Sequence, residues 1–136
     1  MEYKLSVSIV VQRPEDKKIL VVTNRRFGGF SVPGGKVEQG ETFEAAAKRE
    51  LLEEAGVEAL ELTEHAACSH ISISNPSIDG DDRWLCMGFT AKIGDQIPKQ
   101  NEEGTLPYWC DPKDLIEEGM YKEWYEWFFQ LAGVDY

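Results

Sequence analysis

Apolar and polar positions along this chain change period several times, and each change marks an element. Leu5 to Val11 is a β-branched run that reads as a strand and stops at the turn-forming Arg13-Pro14-Glu15-Asp16. Ile19 to Thr23 is a second short apolar strand, placed to pair with the first as a hairpin. Phe27-Gly28-Gly29-Phe30 and then Val32-Pro33-Gly34-Gly35-Lys36 break the pattern as loop. From Phe43 to Ala55 there is no Gly or Pro, and Phe43, Ala47, Leu51 and Ala55 recur at i,i+4 as a buried helical stripe. Thr42 suits its N-cap and Gly56 a left-handed C-cap. Val57 to Leu62 and Cys68 to Ile73 read as two extended segments, with Ser74 to Asp82 a loop. Trp84 to Ile93 is apolar on both faces, which fits a central strand. Gly94 to Gly104 is a polar connection to a short strand at Leu106 to Cys110. A capped turn at Asp111 to Leu115 enters a helix, and an aromatic-rich helix from Met120 to Leu131 closes the chain. The order β-β-loop-α-β-β-α predicts one α/β (α+β) domain over residues 1–136, a mixed sheet with helices on both faces.

The first helix carries a dense acidic group. Glu50 and Glu54 form the row beside the apolar stripe, and Glu53 is i+3 from Glu50. At about 100° per residue the three carboxylates fan over only about 100° of helix surface. Like charges at i,i+4 destabilise a helix by roughly 0.2–0.5 kcal/mol per pair. A Glu run alone is ordinarily a solvated face. Here the Pro-Gly-Gly loop lies just upstream, where bare backbone can approach a ligand or metal. Together they predict a bound cation, and oxygen ligands without nearby Cys or His select Mg2+ or Mn2+ over zinc.

Composition narrows the partners. A 136-residue chain with 42% hydrophobic residues can fill a single core. Its net charge of −11 works against binding to nucleic acid, yet suits a phosphorylated small molecule bridged by a divalent cation. No apolar run approaches about 20 residues, so no membrane partner is expected. The N-terminal segment lacks the pattern of a signal peptide. Cys68, Cys86 and Cys110 are odd in number and widely spaced, the pattern of free thiols in a cytoplasmic protein. The expected assembly is a monomer or a homodimer.

Residues 35–57, GKVEQGETFEAAAKRELLEEAGV, fit the pattern G-x5-E-x7-R-E-U-x-E-E-x-G-U, with U aliphatic, at every specified position. Those positions are Gly35, Glu41, Arg49, Glu50, Leu51, Glu53, Glu54, Gly56 and Val57. The chain thereby closely resembles the Nudix hydrolases. That resemblance implies an α/β/α sandwich with a mixed sheet, and hydrolysis of a diphosphate linked to another group, usually a nucleoside. It makes Glu50, Glu53 and Glu54 the principal metal ligands, with the Gly34 carbonyl a further one. It also gives Arg49 the task of orienting a carboxylate of the cluster by a bidentate contact. Glu41 is either an outer-shell acid or a helix-start acid facing the helix dipole.

Glu102-Glu103-Gly104-Thr105-Leu106-Pro107-Tyr108-Trp109 resembles the MutT-type segment in which a loop Glu precedes a Trp-bearing strand. This points to Glu103 as a further ligand or water-activating group, and leaves the general base open among Glu54, Glu50 and Glu103. Arg25 and Arg26 are candidates for the terminal phosphates. Tyr121, Glu123 and Trp124 fall where MutT-type relatives place base-recognition residues. The implied activity is Mg2+-dependent cleavage of a nucleoside triphosphate, such as 8-oxo-dGTP, to a monophosphate and pyrophosphate. The alternatives are another nucleoside-diphosphate-linked substrate (ADP-ribose or a nucleotide sugar) and a non-catalytic nucleotide-binding Nudix domain. No Pro follows the motif by about 15 residues and no Tyr lies within Ser72 to Asn75, which disfavours ADP-ribose and dinucleoside polyphosphates, respectively. His65 and His70 lie outside the motif and are expected to be structural or surface groups.

Overall fold

The computed structural model describes residues 4–24, 29–71, 83–101, 105–119 and 121–136. The N-terminal β-branched run forms β1 (Lys4–Val11), whose alternation sends Val7, Ile9 and Val11 into one core and Val10 into another. Beside it, β6 (Arg83–Lys92) runs parallel from Lys4↔Trp84 to Val11↔Ala91. On its other edge β4 (Gly34–Lys36) runs antiparallel, and β5 (Glu61–Ile71) pairs antiparallel with β6. The resulting order is β4-β1-β6-β5, a mixed sheet in which β6 is central, as its two apolar faces require. A second, antiparallel sheet has β2 (Ile19–Asn24) between β3 (Gly29–Ser31) and β7 (Pro107–Cys110).

Helix α1 (Phe43–Ala55) covers one core with Ala46, Ala47, Leu51 and Ala55. Helices α2 (Pro112–Glu118) and α3 (Lys122–Ala132) close the other with Leu115, Ile116, Tyr125, Phe128 and Phe129. This gives helices on both sides of the sheet layer. Among the described residues, no helix is long and apolar enough to cross a membrane.

Four expectations change. β1 and β2 share only the bridge Gln12↔Ile19 rather than a hairpin ladder. A strand has two edges, and both edges of β1 are taken by β4 and β6, so β2 leaves for the second sheet. The two extended segments after α1 are one strand, β5, with a bulge between Glu64 and Ala66 that absorbs the break in alternation. Val57 and Glu58 precede it as irregular chain, Val57 buried and the Glu58 N–H donating to Gln96 Oε1 at 2.9 Å. Short strands also form at Gly29–Ser31 and Gly34–Lys36, so the two glycines of the Pro-Gly-Gly segment, which the sequence reads as loop, are paired in β4. Lastly, α3 starts at Lys122, because Tyr121 has φ 66° and cannot continue a right-handed helix.

Candidate active site

The boundaries predicted for α1 coincide with those observed, and the caps explain why. Thr42 Oγ1 accepts from the Ala45 N–H at 3.0 Å, and Gly56, at φ 68°, donates to the Leu52 carbonyl at 2.9 Å. With its apolar stripe buried, the helix presents the Glu50 and Glu54 row to β4. The Gly34 N–H donates to Glu54 Oε1 at 3.1 Å. The Glu50 carboxylate lies so close to Gly35 that a β-carbon there would stand 2.5 Å from Oε1. A β-carbon on Gly34 would instead run into the Val7 carbonyl. Neither glycine has positive φ. Space, not backbone angle, demands them.

Arg49 ties the acids together. Its Nε donates to Glu41 Oε2 at 2.7 Å and its Nη2 to Glu41 Oε1 at 2.9 Å. Nη2 also donates to the Lys36 carbonyl at 2.9 Å, and Nη1 to Glu50 Oε1 at 2.8 Å and Glu53 Oε2 at 3.2 Å. The two-bond fork therefore goes to Glu41, whereas Glu50 and Glu53 receive one bond each. Glu41 Oε1 also accepts from the Glu38 N–H at 2.8 Å. Arg49 and that N–H hold the Glu41 carboxyl down at about 2, and Glu41 and Glu50 raise the guanidinium in return.

The acid pair behaves oppositely. Burial pushes the Glu54 carboxyl up to about 9, reinforced by its hydrogen bond to Glu50 and opposed by the Gly34 N–H. Burial also raises Glu50, with Glu54 and Arg49 pulling it back. The pair shares a proton at neutral pH, and this proton together with Arg49 offsets the like-charge repulsion of the row.

Among the described residues no three His, Cys, Asp or Glu side chains stand as a ready ligand set. Glu53 is turned toward solvent, 58% exposed. The chemistry of the acids nevertheless fits a hard divalent cation. Two recessed carboxylates face a backbone cradle that a β-carbon would fill, and Glu53 lies one helical turn from Arg49 and is paired with it. A cation held there would compete with the shared proton for the pair.

The other predicted residues separate into two groups. Arg25, Arg26 and Glu103 lie outside the described residues. Tyr121, Glu123 and Trp124 start α3, across the sheet layer from α1, Tyr121 and Glu123 exposed and Trp124 half-buried and stacked on Phe128 at 4.7 Å between centroids. Tyr125 joins the two regions: its hydroxyl accepts from the Val32 N–H at 3.3 Å, two residues before Gly34. Burial pushes that phenol up, so it stays protonated. Sequence reasoning missed Tyr125, because it reads as one more aromatic in an apolar stripe. It also missed the Lys36 carbonyl, a backbone group with no sequence signal. His65 bonds Thr90 Oγ1 through Nε2 at 2.7 Å and meets the Phe128 ring edge-on.

Comparison with known proteins agrees with this arrangement. The family model for the Nudix domain matches residues 2–131. Nudix hydrolase YvcI of Bacillus subtilis, itself uncharacterised, is 31% identical over 128 residues, covering 85% of this chain and 71% of that protein. Nudix hydrolase 1 of Caenorhabditis elegans is 26% identical over 120 residues, 85% of this chain but only 30% of that longer protein. The MutT protein of Bacillus halodurans superposes with a TM-score of 0.73 at 21% identity, covering 95% of this chain and 81% of that one. The Nudix domain of Shewanella oneidensis NrtR, solved with ADP ribose, gives 0.75 at 18% identity, covering 98% and 88%. Likenesses at these identities speak for the fold alone. The family match over nearly the whole length, together with a 31% identical Nudix hydrolase of which it covers 71%, establishes that this chain belongs to the Nudix hydrolase family.

Proposed function

We propose that this chain is a Mg2+-dependent diphosphohydrolase that cleaves a nucleoside triphosphate, 8-oxo-dGTP among the candidates, to a nucleoside monophosphate and pyrophosphate. The observation that carries the reading is the recessed Glu50–Glu54 pair at the Gly34–Gly35 backbone, clamped by Arg49. Glu50, Glu53 and Glu54, with the Gly34 carbonyl and Glu103, would hold Mg2+, for which Mn2+ can substitute. Bound there, the ion neutralises phosphoryl charge and makes its water a stronger acid.

The chain supplies the rest. Arg49 fixes Glu50 against rotation, so the carboxylate meets its ligand without reorganising. A carboxylate among Glu54, Glu50 and Glu103 takes the proton of the attacking water; the raised proton affinity of the buried pair supports one of its members. Arg25 and Arg26 hold the terminal phosphates. Tyr121, Glu123 and Trp124 contact the base, where an exposed aromatic beside an acid offers stacking plus a polar edge contact. Three free thiols suit a cytoplasmic enzyme working on the nucleotide pool.

The test is turnover with Mg2+ on a panel of canonical and oxidised nucleoside triphosphates, ADP-ribose, nucleotide sugars and diadenosine polyphosphates. A monophosphate and pyrophosphate from a triphosphate are expected, with oxygen-18 from water entering pyrophosphate, the mark of attack at the β-phosphorus. Orthophosphate plus a diphosphate as first products refutes the assignment, as does preferred turnover of ADP-ribose. Nucleotide binding without any turnover would make the chain a binding module.

A further inference from the structure

We propose that Cys68 and Cys86 are an oxidation-sensitive dithiol, closing into a disulfide across β5 and β6 beneath the first turn of α3 and thereby regulating substrate recognition. The two residues are direct partners in the antiparallel register. Opposite residues of such a pair carry their β-carbons on one face about 4.5–5.5 Å apart. A disulfide needs roughly 3.5–4.5 Å, an approach of about 1 Å. Cys86 Sγ lies 3.3 Å from Ser8 Oγ. Two residues along β6, Phe128 of α3 fills the space above Gly88, which identifies the face as the one under α3. Cys68 lies beside the indole N–H of Trp124, which is buried without a hydrogen-bond partner and for which a thiol is a weak acceptor. All three cysteines are free, and Cys110 lies in β7 of the other sheet, its thiol donating to the Asp111 carbonyl at 3.3 Å.

Exposure sets the order of events. Cys68 is half-buried and Cys86 buried, so a peroxide reaches Cys68 first. Its sulfur attacks the O–O bond, giving a sulfenic acid and one water. The Cys86 sulfur then attacks the Cys68 sulfur, forming the S–S bond and releasing a second water as its own proton leaves with the hydroxyl. Two thiols are oxidised, and one peroxide becomes two waters. Burial pushes both thiols up, so the reaction is slow and needs sustained peroxide. Once linked, Cys68 is drawn from the Trp124 indole and Cys86 from Ser8. Trp124 then loses the sulfur that packs beside its indole N–H, and the turn carrying Tyr121 loosens on the sheet.

The regulatory half rests on the reading of Tyr121 and Trp124 as substrate contacts; the thiol chemistry does not. The 136-residue chain is incubated with hydrogen peroxide, alkylated under denaturing conditions, and its mass and crosslinked peptides measured. The proposal expects loss of about 2 Da, free thiols falling from three to one, and a Cys68–Cys86 peptide pair. It also expects KM to rise about fivefold or more with a smaller change in kcat, reversed by dithiothreitol and absent in Cys68→Ser and in Cys86→Ser. Sulfinic acid without a crosslink, an intermolecular dimer, or linkage through Cys110 overturns it. A crosslink with unchanged KM overturns the regulatory half. Inactivity towards every nucleotide overturns the assigned reaction while the mass result still decides the dithiol.

Discussion

Replacing Gly35 by alanine separates the fold from the chemistry at a single carbon. The new β-carbon would stand 2.5 Å from Glu50 Oε1, 2.6 Å from Cδ and 2.8 Å from Oε2. Comfortable contact needs about 3.5 Å, so the carboxylate retreats by about 1 Å. That strains the 2.8 Å bond from Arg49 Nη1. A charged hydrogen bond of this kind contributes roughly 1.5–3 kcal/mol, and alanine recovers roughly 0.5–1 kcal/mol over glycine in extended backbone. The net loss is about 1–2 kcal/mol, or roughly 3–7 °C in Tm for a chain of this length. Activity is affected far more, because a displacement of about 1 Å at a reacting centre costs roughly 100-fold. Gly34→Ala is the contrast: it meets the Val7 carbonyl, fixed in a strand paired on both edges, and loses about 3 kcal/mol or more. Thermal unfolding followed by tryptophan fluorescence, beside turnover at saturating Mg2+, reads both effects. Gly35→Ala turning over within about threefold of the parent would refute the placement of Glu50 at the reacting centre. Equal collapse of both variants would refute the distinction between a yielding carboxylate and an unyielding strand.

Three further outcomes are expected, the Glu103 one resting on the proposed function alone. Folding the metal-free chain gives Glu54 a proton that the unfolded chain lacks between its ordinary pKa of 4.5 and about 9. Its contribution to stability therefore falls as pH rises through that window, by at most about 1.4 kcal/mol per pH unit. Metal-free Tm should decline from pH 6 to 8 in the parent and stay flatter in Glu54→Gln, and Mg2+ binding at pH 7 should release about one proton by buffer-dependent calorimetry; equal slopes and no release would remove the shared proton. Arg49→Lys keeps the charge but loses the fork to Glu41, and is expected to cost about 2 kcal/mol in denaturant unfolding and about tenfold or more in turnover; parent-like values for both would make the clamp incidental. Glu53→Gln and Glu54→Gln should each lower turnover at least about 100-fold while keeping the fold, and Glu103→Gln about tenfold or more; unchanged rates would return these acids to ordinary surface or buried roles.

Why some of this was legible in the sequence and some was not comes down to whether the determining contact is local. The α1 boundaries were readable to the residue because Thr42, the i,i+4 stripe and Gly56 are all set within one helix. The central place of β6 was readable because burial on two faces leaves its mark on every residue of the strand. The pairing of β2 was not, because it depends on which strands already occupy the edges of β1, and those come from residues 34–36 and 83–92. The site divides in the same way. The acids were visible as a row, but their state depends on surroundings the row does not show: Glu54 protonates because the surrounding core takes it from water and Glu50 bonds it, while Glu41, eight residues before Arg49, ionises more readily because the guanidinium reaches it. Two glutamates of one motif are thus held at opposite ends of the carboxylate range. The proton held by the buried pair and the Arg49 guanidinium offset the repulsion within the row, so charges that look unfavourable in the sequence are compensated by one group taken from solvent and one on the same helix.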